Sequence, residues 1–252
     1  MANAPASSAA APTGTGPSGI GHFRYSGARP ADLGEAGAFD DLFWSHKGET
    51  VHKWHHYPAI YDRYFGPWRG KAPRFLEIGV SKGGSLEIWR RFFGDDAVIF
   101  GIDIDPKCAQ FDGQAGQVRI GSQDDPAFLN GVLDEMGGVD LVLDDGSHDS
   151  VHIRKTLEVA YPRLTTGGVY MIEDLHAAYW PNFSGGYDAE SSFFTDVKRM
   201  IDDIHHWYHD RGQEVAATRD YLTSLHVHDS IVVLEKDRVP TPRHTKKGAR
   251  FA

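Results

Sequence analysis

Short apolar runs alternate with segments of helical spacing from Pro73 onward. Between these runs, apolar residues recur at intervals of three and four, as expected of amphipathic helices. Strands that alternate with helices pair in parallel through right-handed crossovers, so the pattern predicts an open sheet with helices on both faces. The predicted strands are 74–80, 97–105, 117–121, 139–145 and 167–174, and the helices between them are 85–93, 126–136 and 152–164.

Other patterns flank this alternation. Residues 39–69 are dense in aromatic residues and histidine, which predicts one or two helices packed over the sheet edge or over a ligand. A long helix is predicted over 189–211, followed by a hairpin over 224–237. We therefore predict a three-layer, Rossmann-like α/β sandwich with a seven-stranded, mostly parallel sheet that ends in an antiparallel hairpin.

Composition divides the 252 residues into four predicted segments. Ala, Pro, Ser and Gly dominate residues 1–20, which hold too little apolar surface to offset the entropy of ordering and are predicted to form a disordered leader. Residues 21–70 are predicted to form a helical cap or lid, and 71–238 the main domain. The basic, proline-containing residues 239–252 are predicted to form a loose tail.

Charge and cysteine content narrow the classes of function. The net charge of −9 argues against a nucleic-acid partner, because phosphate binding needs a basic surface. No run approaches the roughly 18 apolar residues of a membrane helix, so we expect no membrane span. Cys108 is the only cysteine and cannot form an internal disulfide, which favours a reducing, cytoplasmic compartment.

The first candidate motif is the glycine loop from Glu77 to Ser85, EIGVSKGGS. In open α/β sheets ligands bind at the carboxyl ends of the strands, and glycines there let the backbone approach a ligand. The spacing GxxxGG differs from the GxGxxG of dinucleotide-binding loops. It is typical of S-adenosylmethionine (SAM) loops, where Gly79 would adjoin the cofactor and Glu77 could meet its ammonium group. A tight turn without a ligand is the alternative.

Polar residues also follow the second and third predicted strands. Asp103 is placed to accept hydrogen bonds from two ribose hydroxyls, whereas Asp105, just before a proline, could cap a turn instead. Ser122 and Gln123 could read an adenine edge. Ordinary loop polarity would explain these two residues equally well.

The third candidate motif combines DDGSHD at the fourth strand with IED at the fifth. Asp145, Glu173 and Asp174 would meet on one rim, where carboxylates repel one another unless a cation joins them. Oxygen ligands without cysteine suit Mg²⁺. His148 would lie beside that metal, where a neutral imidazole could remove a proton from a hydroxyl. Alternatively, the motif is a solvated turn that caps the next helix.

Four runs resemble one enzyme family when they are taken together: FLEIGVSKGGSLEIWRRFF, IFGIDIDP, VDLVLDDGSH and GGVYMIEDLHAAYWP. They are similar to the metal-dependent sugar O-methyltransferases of actinobacterial antibiotic biosynthesis, which modify deoxysugars of mycinamicin-like macrolides and rhamnose of tetracenomycin-like compounds. The resemblance covers about 43–181 and includes the upstream run HKGETVHKWHHYPAIYDRYF.

The resemblance implies a class I SAM-dependent methyltransferase domain over 71–238. It implies Mg²⁺ held by Asp145, Glu173 and Asp174, with His148 as general base. It implies SAM on the glycine loop, which ends at Ser85, on Asp103 and on the Ser122–Gln123 loop. By its position before Asp145, Asp144 could support the cofactor side or lie behind the metal ligands. Homo-oligomers are implied as well, often with lids from a neighbouring subunit.

The acceptor implied by the resemblance is a small-molecule glycoside or a nucleotide-linked sugar. The larger macrolide enzymes carry an extra N-terminal domain that we do not expect in this protein, and a shorter form could use either acceptor. We expect acceptor contacts from Tyr179, Trp180 and Asn182 and from the aromatic segment around Trp54 to Tyr64, in particular Tyr57.

Three other functions fit parts of the sequence. A catechol-type, Mg²⁺-dependent O-methyltransferase would also explain the acids, but the histidine of DDGSH favours a sugar acceptor. A nicotinamide oxidoreductase is disfavoured by the GxxxGG spacing. A SAM- or nucleotide-binding module without catalysis would not need the acids together with His148.

Overall fold

The structure, a computed structural model, describes residues 26–248. The predicted leader 1–20 and the end of the predicted tail, 249–252, lie outside the described residues. Seven strands form one sheet in the order β3-β2-β1-β4-β5-β7-β6. Their bounds are β1 Arg74–Ile78, β2 Val98–Asp103, β3 Gln117–Ile120, β4 Val139–Asp144, β5 Leu164–Ile172, β6 Leu222–Val227 and β7 Val232–Lys236.

The strand register brings the predicted motifs together. Strands β1 to β5 are parallel, with Ile78 paired to Asp144, and Asp144 paired to Ile172. The residues that follow these positions therefore leave the sheet side by side at one rim. Strand β7 runs antiparallel to both β5 and β6, so β6 and β7 form the predicted antiparallel hairpin and β6 is the edge strand.

Helices cover both faces of the sheet, because each face carries its own apolar core. Helices α1, α2 and α3 contribute to the aromatic-rich core, where Trp89, Phe92 and Phe93 of α3 are buried at helical spacing. Helices α4, α5 and α6 pack on the other core. Their bounds are α1 Ala38–Trp44, α2 Tyr57–Tyr64, α3 Gly84–Phe93, α4 Pro126–Glu135, α5 Ser150–Arg163 and α6 Phe193–Ile204.

The long helix predicted over 189–211 is wrong in its extent. Helix α6 begins only after Ser192, whose hydroxyl accepts a hydrogen bond from the Phe194 N–H. Near its other end, the buried Asp203 carboxylate accepts the backbone N–H groups of Glu214 and Val215, which turns the chain back on the helix. Capping and a tertiary hydrogen bond thus override the helical periodicity.

The segment 39–69 forms two helices, as predicted. Helices α1 and α2 are joined by residues 46–56, which have no regular secondary structure and are called the strap below. Gly84, at the start of α3, shows how closely the strap crosses the sheet rim: a Cβ there would lie 2.1 Å from the Glu49 carbonyl oxygen. Within 26–248, none of the helices has the length and apolar character needed to cross a bilayer.

Candidate active site

A cavity of about 420 Å³ opens at the carboxyl ends of the parallel strands. The glycine loop, the turns after β2, β3 and β4, and the strap form its walls. The predicted site residues that line it are Gly79, Ser85, Asp103, Ser122, Gln123, Asp145, His148 and Asp174. The parallel register therefore brings the cofactor-side residues and the acidic motif into one space.

Gly79 fixes the shape of the loop that follows β1. Its φ of +96° lies in the region that disfavours residues with a side chain, and a Cβ would lie 2.1 Å from the Asp145 carbonyl oxygen. Only glycine fits this position without moving the turn after β4. The glycine loop and the DDGSH turn are therefore packed backbone to backbone.

Asp103 braces the same loop from the end of β2. Its carboxylate accepts the backbone N–H of Ser81 at 2.9 Å and that of Asp105 at 2.8 Å. Asp105 in turn caps the following 3₁₀ turn by accepting the Lys107 N–H. Asp103 thus lines the cavity as predicted, while Asp105 has the turn-capping contact that the sequence left open.

Glu77 occupies a different place from the one predicted. It is fully buried, does not line the cavity, and accepts hydrogen bonds from the Ser85 hydroxyl at 2.8 Å and the Trp89 indole at 3.1 Å. Burial raises the pKa of Glu77 to about 7, against the opposing effects of Lys53 and the hydrogen bond from Ser85. In the structure it anchors Ser85 and α3 from below the loop.

Gln123 and Asp144 form a buried hydrogen-bonded group, in which Gln123 lines the cavity and Asp144 lies behind its wall. The Gln123 amide donates to Asp144 and to Thr156, both at 3.0 Å, and its oxygen accepts the Ser147 N–H at 2.7 Å. Burial raises the pKa of Asp144 to about 6. The Gln123 amide therefore holds the DDGSH turn in place. The hydroxyl of the adjacent Ser122 donates a hydrogen bond to Asp124.

The acidic motif places three potential ligand side chains around one point. One atom each of Asp145, His148 and Asp174 lies within 4.8 Å of the others, and His148 Nε2 is 3.8 Å from Asp174 Oδ2. His148 and Asp174 have positive φ values of 57° and 51°. Such backbone conformations cost about 1–3 kcal/mol each and persist where surrounding contacts enforce them, often at functional sites.

Glu173 lies directly behind this cluster. It is 1% exposed, its Oε2 accepts a hydrogen bond from Lys53 Nζ at 2.7 Å, and its Oε1 accepts the Tyr61 hydroxyl. Lys53 Nζ also donates to Asp145 Oδ2 at 2.5 Å. Burial raises the pKa of Glu173, and Asp145 raises it further, while Lys53 opposes both effects.

Asp174 is held by two aromatic residues, Trp54 of the strap and Tyr57 of helix α2. Its Oδ1 accepts the Tyr57 hydroxyl at 2.5 Å and the Trp54 indole at 3.2 Å. Burial raises the pKa of Tyr57, so this hydroxyl stays a donor. Tyr57 was predicted to contact the acceptor, but it is 1% exposed and instead orients an acid of the cluster.

The other predicted acceptor residues lie outside the cavity wall. Tyr179 is half exposed and stacks on Phe194 with ring centroids 4.8 Å apart, and Trp180 packs edge-on against His176. Asn182 is exposed on the same segment. This segment returns to the DDGSH turn, because the Ser184 hydroxyl donates to Asp149.

Lys53 is a functional-site residue that was not identified from the sequence. The segment from Trp54 to Tyr64, noted for its aromatic and histidine content, was expected to contact the acceptor, whereas Trp54 and Tyr61 donate hydrogen bonds to the acids. A lysine beside the tryptophan of such a segment, upstream of two acidic motifs, is the one signal that points to Lys53. Nothing in the local pattern indicates that Lys53 is buried against acids about a hundred residues later.

The cluster fits a hard divalent cation. Asp145 and Asp174 supply oxygen donors within the cluster, Glu173 adds a carboxylate directly behind it, and the negative charge of these three acids is offset only in part by Lys53. Hydrogen bonds from Lys53, Tyr57 and Tyr61 orient these carboxylates in the way that outer partners orient metal ligands. A carboxylate oxygen that accepts one hydrogen bond still has a lone pair for a metal.

The sheet order and the rim site define a Rossmann-like class I methyltransferase fold. A family model described as a methyltransferase domain matches residues 76–175. The fold predicted from the sequence is confirmed.

The relatives sharpen this class. The chain is 37% identical over 196 residues to the 8-demethyl-8-alpha-L-rhamnosyl tetracenomycin-C 2'-O-methyltransferase of Streptomyces olivaceus. This match covers 73% of this chain and 51% of that protein. It is 34% identical over 228 residues to the mycinamicin VI 2''-O-methyltransferase of Micromonospora griseorubida, covering 84% and 54%. The chain spans about half the length of the curated relatives it matches.

A solved structure agrees with the sequence relatives. The methyltransferase MycE of the mycinamycin pathway, in complex with Mg, SAH and mycinamycin VI, superposes with a TM-score of 0.68 at 33% identity. The match covers 77% of this chain and 54% of that one. The resemblance to sugar O-methyltransferases of antibiotic pathways, stated from the sequence motifs, is therefore confirmed.

Proposed function

We propose that this protein is a SAM- and Mg²⁺-dependent O-methyltransferase that methylates a hydroxyl of a rhamnose-like deoxysugar. The observation that carries the proposal is the single cavity that joins the glycine loop to the cluster of Asp145, His148 and Asp174. A methyl donor on the first and a hydroxyl on the second would lie next to each other. Such positioning is a large source of rate acceleration in group transfer.

The cofactor side of the cavity suits SAM. Gly79 lets the loop approach a ligand, and Asp103 lines the cavity at the end of β2, where a ribose-binding acid is expected in this fold class. Ser85 and Ser122 add hydroxyl groups to the same wall. Gln123 would act by holding the DDGSH turn with its amide rather than by contacting the cofactor.

On the acidic side, Asp145, Glu173 and Asp174 would hold Mg²⁺. When bound, Mg²⁺ supplies positive charge that makes a sugar hydroxyl more acidic. His148 is the general base in this proposal, because its ring is at the cavity wall and its Nε2 faces the acidic cluster, 3.8 Å from Asp174 Oδ2. A nitrogen ligand is also a weaker choice than oxygen for Mg²⁺, which leaves the imidazole for proton transfer.

The acceptor class is drawn from the relatives. Those named above act on rhamnosyl tetracenomycin and on mycinamicin VI, both glycosylated natural products. We therefore propose a finished glycoside as the acceptor, and a nucleotide-linked sugar is the alternative outcome. A cytoplasmic homo-oligomer remains a prediction that light scattering and cell fractionation would test.

The acceptor is tested by incubating the protein with SAM, MgCl₂ and three compounds. These are a rhamnosyl polyketide, a nucleotide-linked 6-deoxysugar and a simple catechol. We expect mass spectrometry to find one added methyl group on the rhamnosyl polyketide, located on a sugar oxygen by fragmentation. Methylation of the catechol alone would contradict the sugar proposal while leaving methyl transfer in place.

A further inference from the structure

Lys53 has surroundings that the proposed reaction does not explain. Its side chain is 3% exposed, and its Nζ lies 2.5 Å from Asp145 and 2.7 Å from Glu173. Among the described residues, it is the lysine or arginine that pairs with the acids of the site. Burying a lysine is unfavourable unless its charge is paired, so Lys53 is stable at this position because Asp145 and Glu173 accept its hydrogen bonds.

The strap delivers Lys53 to the acids from outside the sheet. Residues 50–53 line the cavity, and the next residue, Trp54, already contacts Asp174. Helix α2 then adds the hydroxyls of Tyr57 and Tyr61. One short stretch of chain therefore donates a hydrogen bond to each of the three acids.

The charges of this group can be counted. Asp145, Glu173 and Asp174 carry three negative charges when ionised, and Lys53 carries one positive charge. Two negative charges remain, which matches one divalent cation. Without the ammonium, Glu173 would be a buried carboxylate whose only side-chain hydrogen-bond partner within 26–248 is the Tyr61 hydroxyl.

We propose that Lys53 is a positioning residue that balances the charge of Glu173 and holds the acidic cluster in place before a divalent cation binds. The metal part of this statement rests on the proposed function, whereas the counter-charge part does not. A cation and the ammonium compensate the same acids, so loss of Lys53 should make the fold depend more strongly on the metal.

The test measures melting temperature in EDTA and in MgCl₂ for Lys53→Met and for Lys53→Met/Glu173→Gln. In EDTA the single variant should melt about 10 °C below wild type, because a buried charge has lost its partner. Removing the second charge should restore at least half of that loss. The Mg²⁺-induced rise should be larger in Lys53→Met than in wild type.

Lys236 provides the matched control. It is also a buried lysine, but its Nζ donates to the carbonyls of Tyr161, Pro162 and Leu164 at the end of α5. Lys236→Met should lower the melting temperature without changing the Mg²⁺-induced rise. This separates a charge-balancing role from the general effect of removing a buried lysine.

Each outcome decides a separate claim. If the double variant melts no higher than Lys53→Met in EDTA, the counter-charge role is wrong. If Lys53→Met is insoluble, a folded double variant supports the role and an equally insoluble one overturns it. A wild type with no Mg²⁺-induced rise would remove the metal from the proposed function, while the comparison in EDTA would still test Lys53.

Discussion

The two halves of the cavity are built in different ways. At the ends of β1 and β2 the wall is mainly backbone, shaped by Gly79 and by the N–H groups that Asp103 binds. At the ends of β4 and β5 it consists of ionisable side chains that the strap and α2 hold from behind. The first half is fixed by steric exclusion, and the second by charge pairing between distant segments.

Because the two halves are built differently, mutations in them should impair different properties of the enzyme. A change on the backbone side should alter cofactor affinity and leave the chemistry of the bound complex nearly intact. A change on the acidic side should alter turnover and metal dependence and leave SAM binding nearly intact. Three substitutions test the separation, and a fourth tests the buried acid beneath the glycine loop.

The largest effect is expected from Asp145→Asn, which removes a proposed metal ligand and a partner of Lys53. Activity should fall by about 10³-fold or more, since a bound metal supplies several kcal/mol of charge stabilisation. The stabilising effect of MgCl₂ on the melting temperature should also disappear. Calorimetry should find the SAM affinity within about threefold of wild type.

Asp149→Asn is the control for that variant, because Asp149 caps α5 in the same turn by accepting the Val151 N–H. It should keep its Mg²⁺ dependence. If both variants lose Mg²⁺ dependence equally, the turn as a whole rather than the Asp145 carboxylate is responsible.

His148→Ala should lower kcat by about 10²–10⁴-fold, the usual contribution of a general base. SAM binding and Mg²⁺ stabilisation should remain, because the acids are untouched. His152→Ala should lose far less, since the His152 ring hydrogen-bonds Ser147 and faces Asp124, not the acidic cluster. A wild-type kcat in His148→Ala would show that another group takes the proton.

Glu77→Gln tests the buried acid beneath the glycine loop. Its folded-state pKa of about 7 lies above the ordinary 4.5, so the folded state binds the extra proton, and stability falls as pH rises from about 4.5 to 7. The variant should remove roughly 3 kcal/mol of this pH dependence. Urea unfolding at a series of pH values gives the difference curve, and a curve parallel to wild type would contradict the buried, protonated state.

Asp103→Asn should have the smallest effect, about a tenfold weaker SAM affinity, from loss of one charged hydrogen-bond acceptor. Turnover at saturating SAM should change little. Asp105→Asn should affect SAM binding less, because Asp105 caps the next turn. If Asp105→Asn weakens SAM binding more than Asp103→Asn does, Asp105 rather than Asp103 is the acid that contacts the cofactor.

The sequence predicts the two halves unequally. Glycine spacing and acids at strand ends are local features, and parallel pairing brings them to one rim, so the cavity wall around Gly79, Asp103 and Asp145 could be predicted. The partners of the acids could not. Lys53 is separated from Asp145 by 92 positions and from Glu173 by 120, and only the tertiary fold brings them together.

Local sequence patterns also could not show which candidate site residues form hydrogen bonds within the protein instead of contacting a ligand. Glu77 and Gln123 have residue types suited to a ligand, but burial and internal hydrogen bonds use their side chains within the protein. Tyr57 is similar, since its aromatic ring suggested an acceptor contact while its hydroxyl binds Asp174. Sequence position at a rim does not determine whether a side chain points into the cavity or behind its wall.

The central claim is that both halves act together in one metal-dependent methyl transfer. The most direct measurement follows a labelled methyl group from SAM to a rhamnosyl natural product, in MgCl₂ and in excess EDTA. We predict labelled sugar product in MgCl₂ and none above background in EDTA, with SAM still bound by calorimetry. Equal transfer rates under the two conditions would contradict the account.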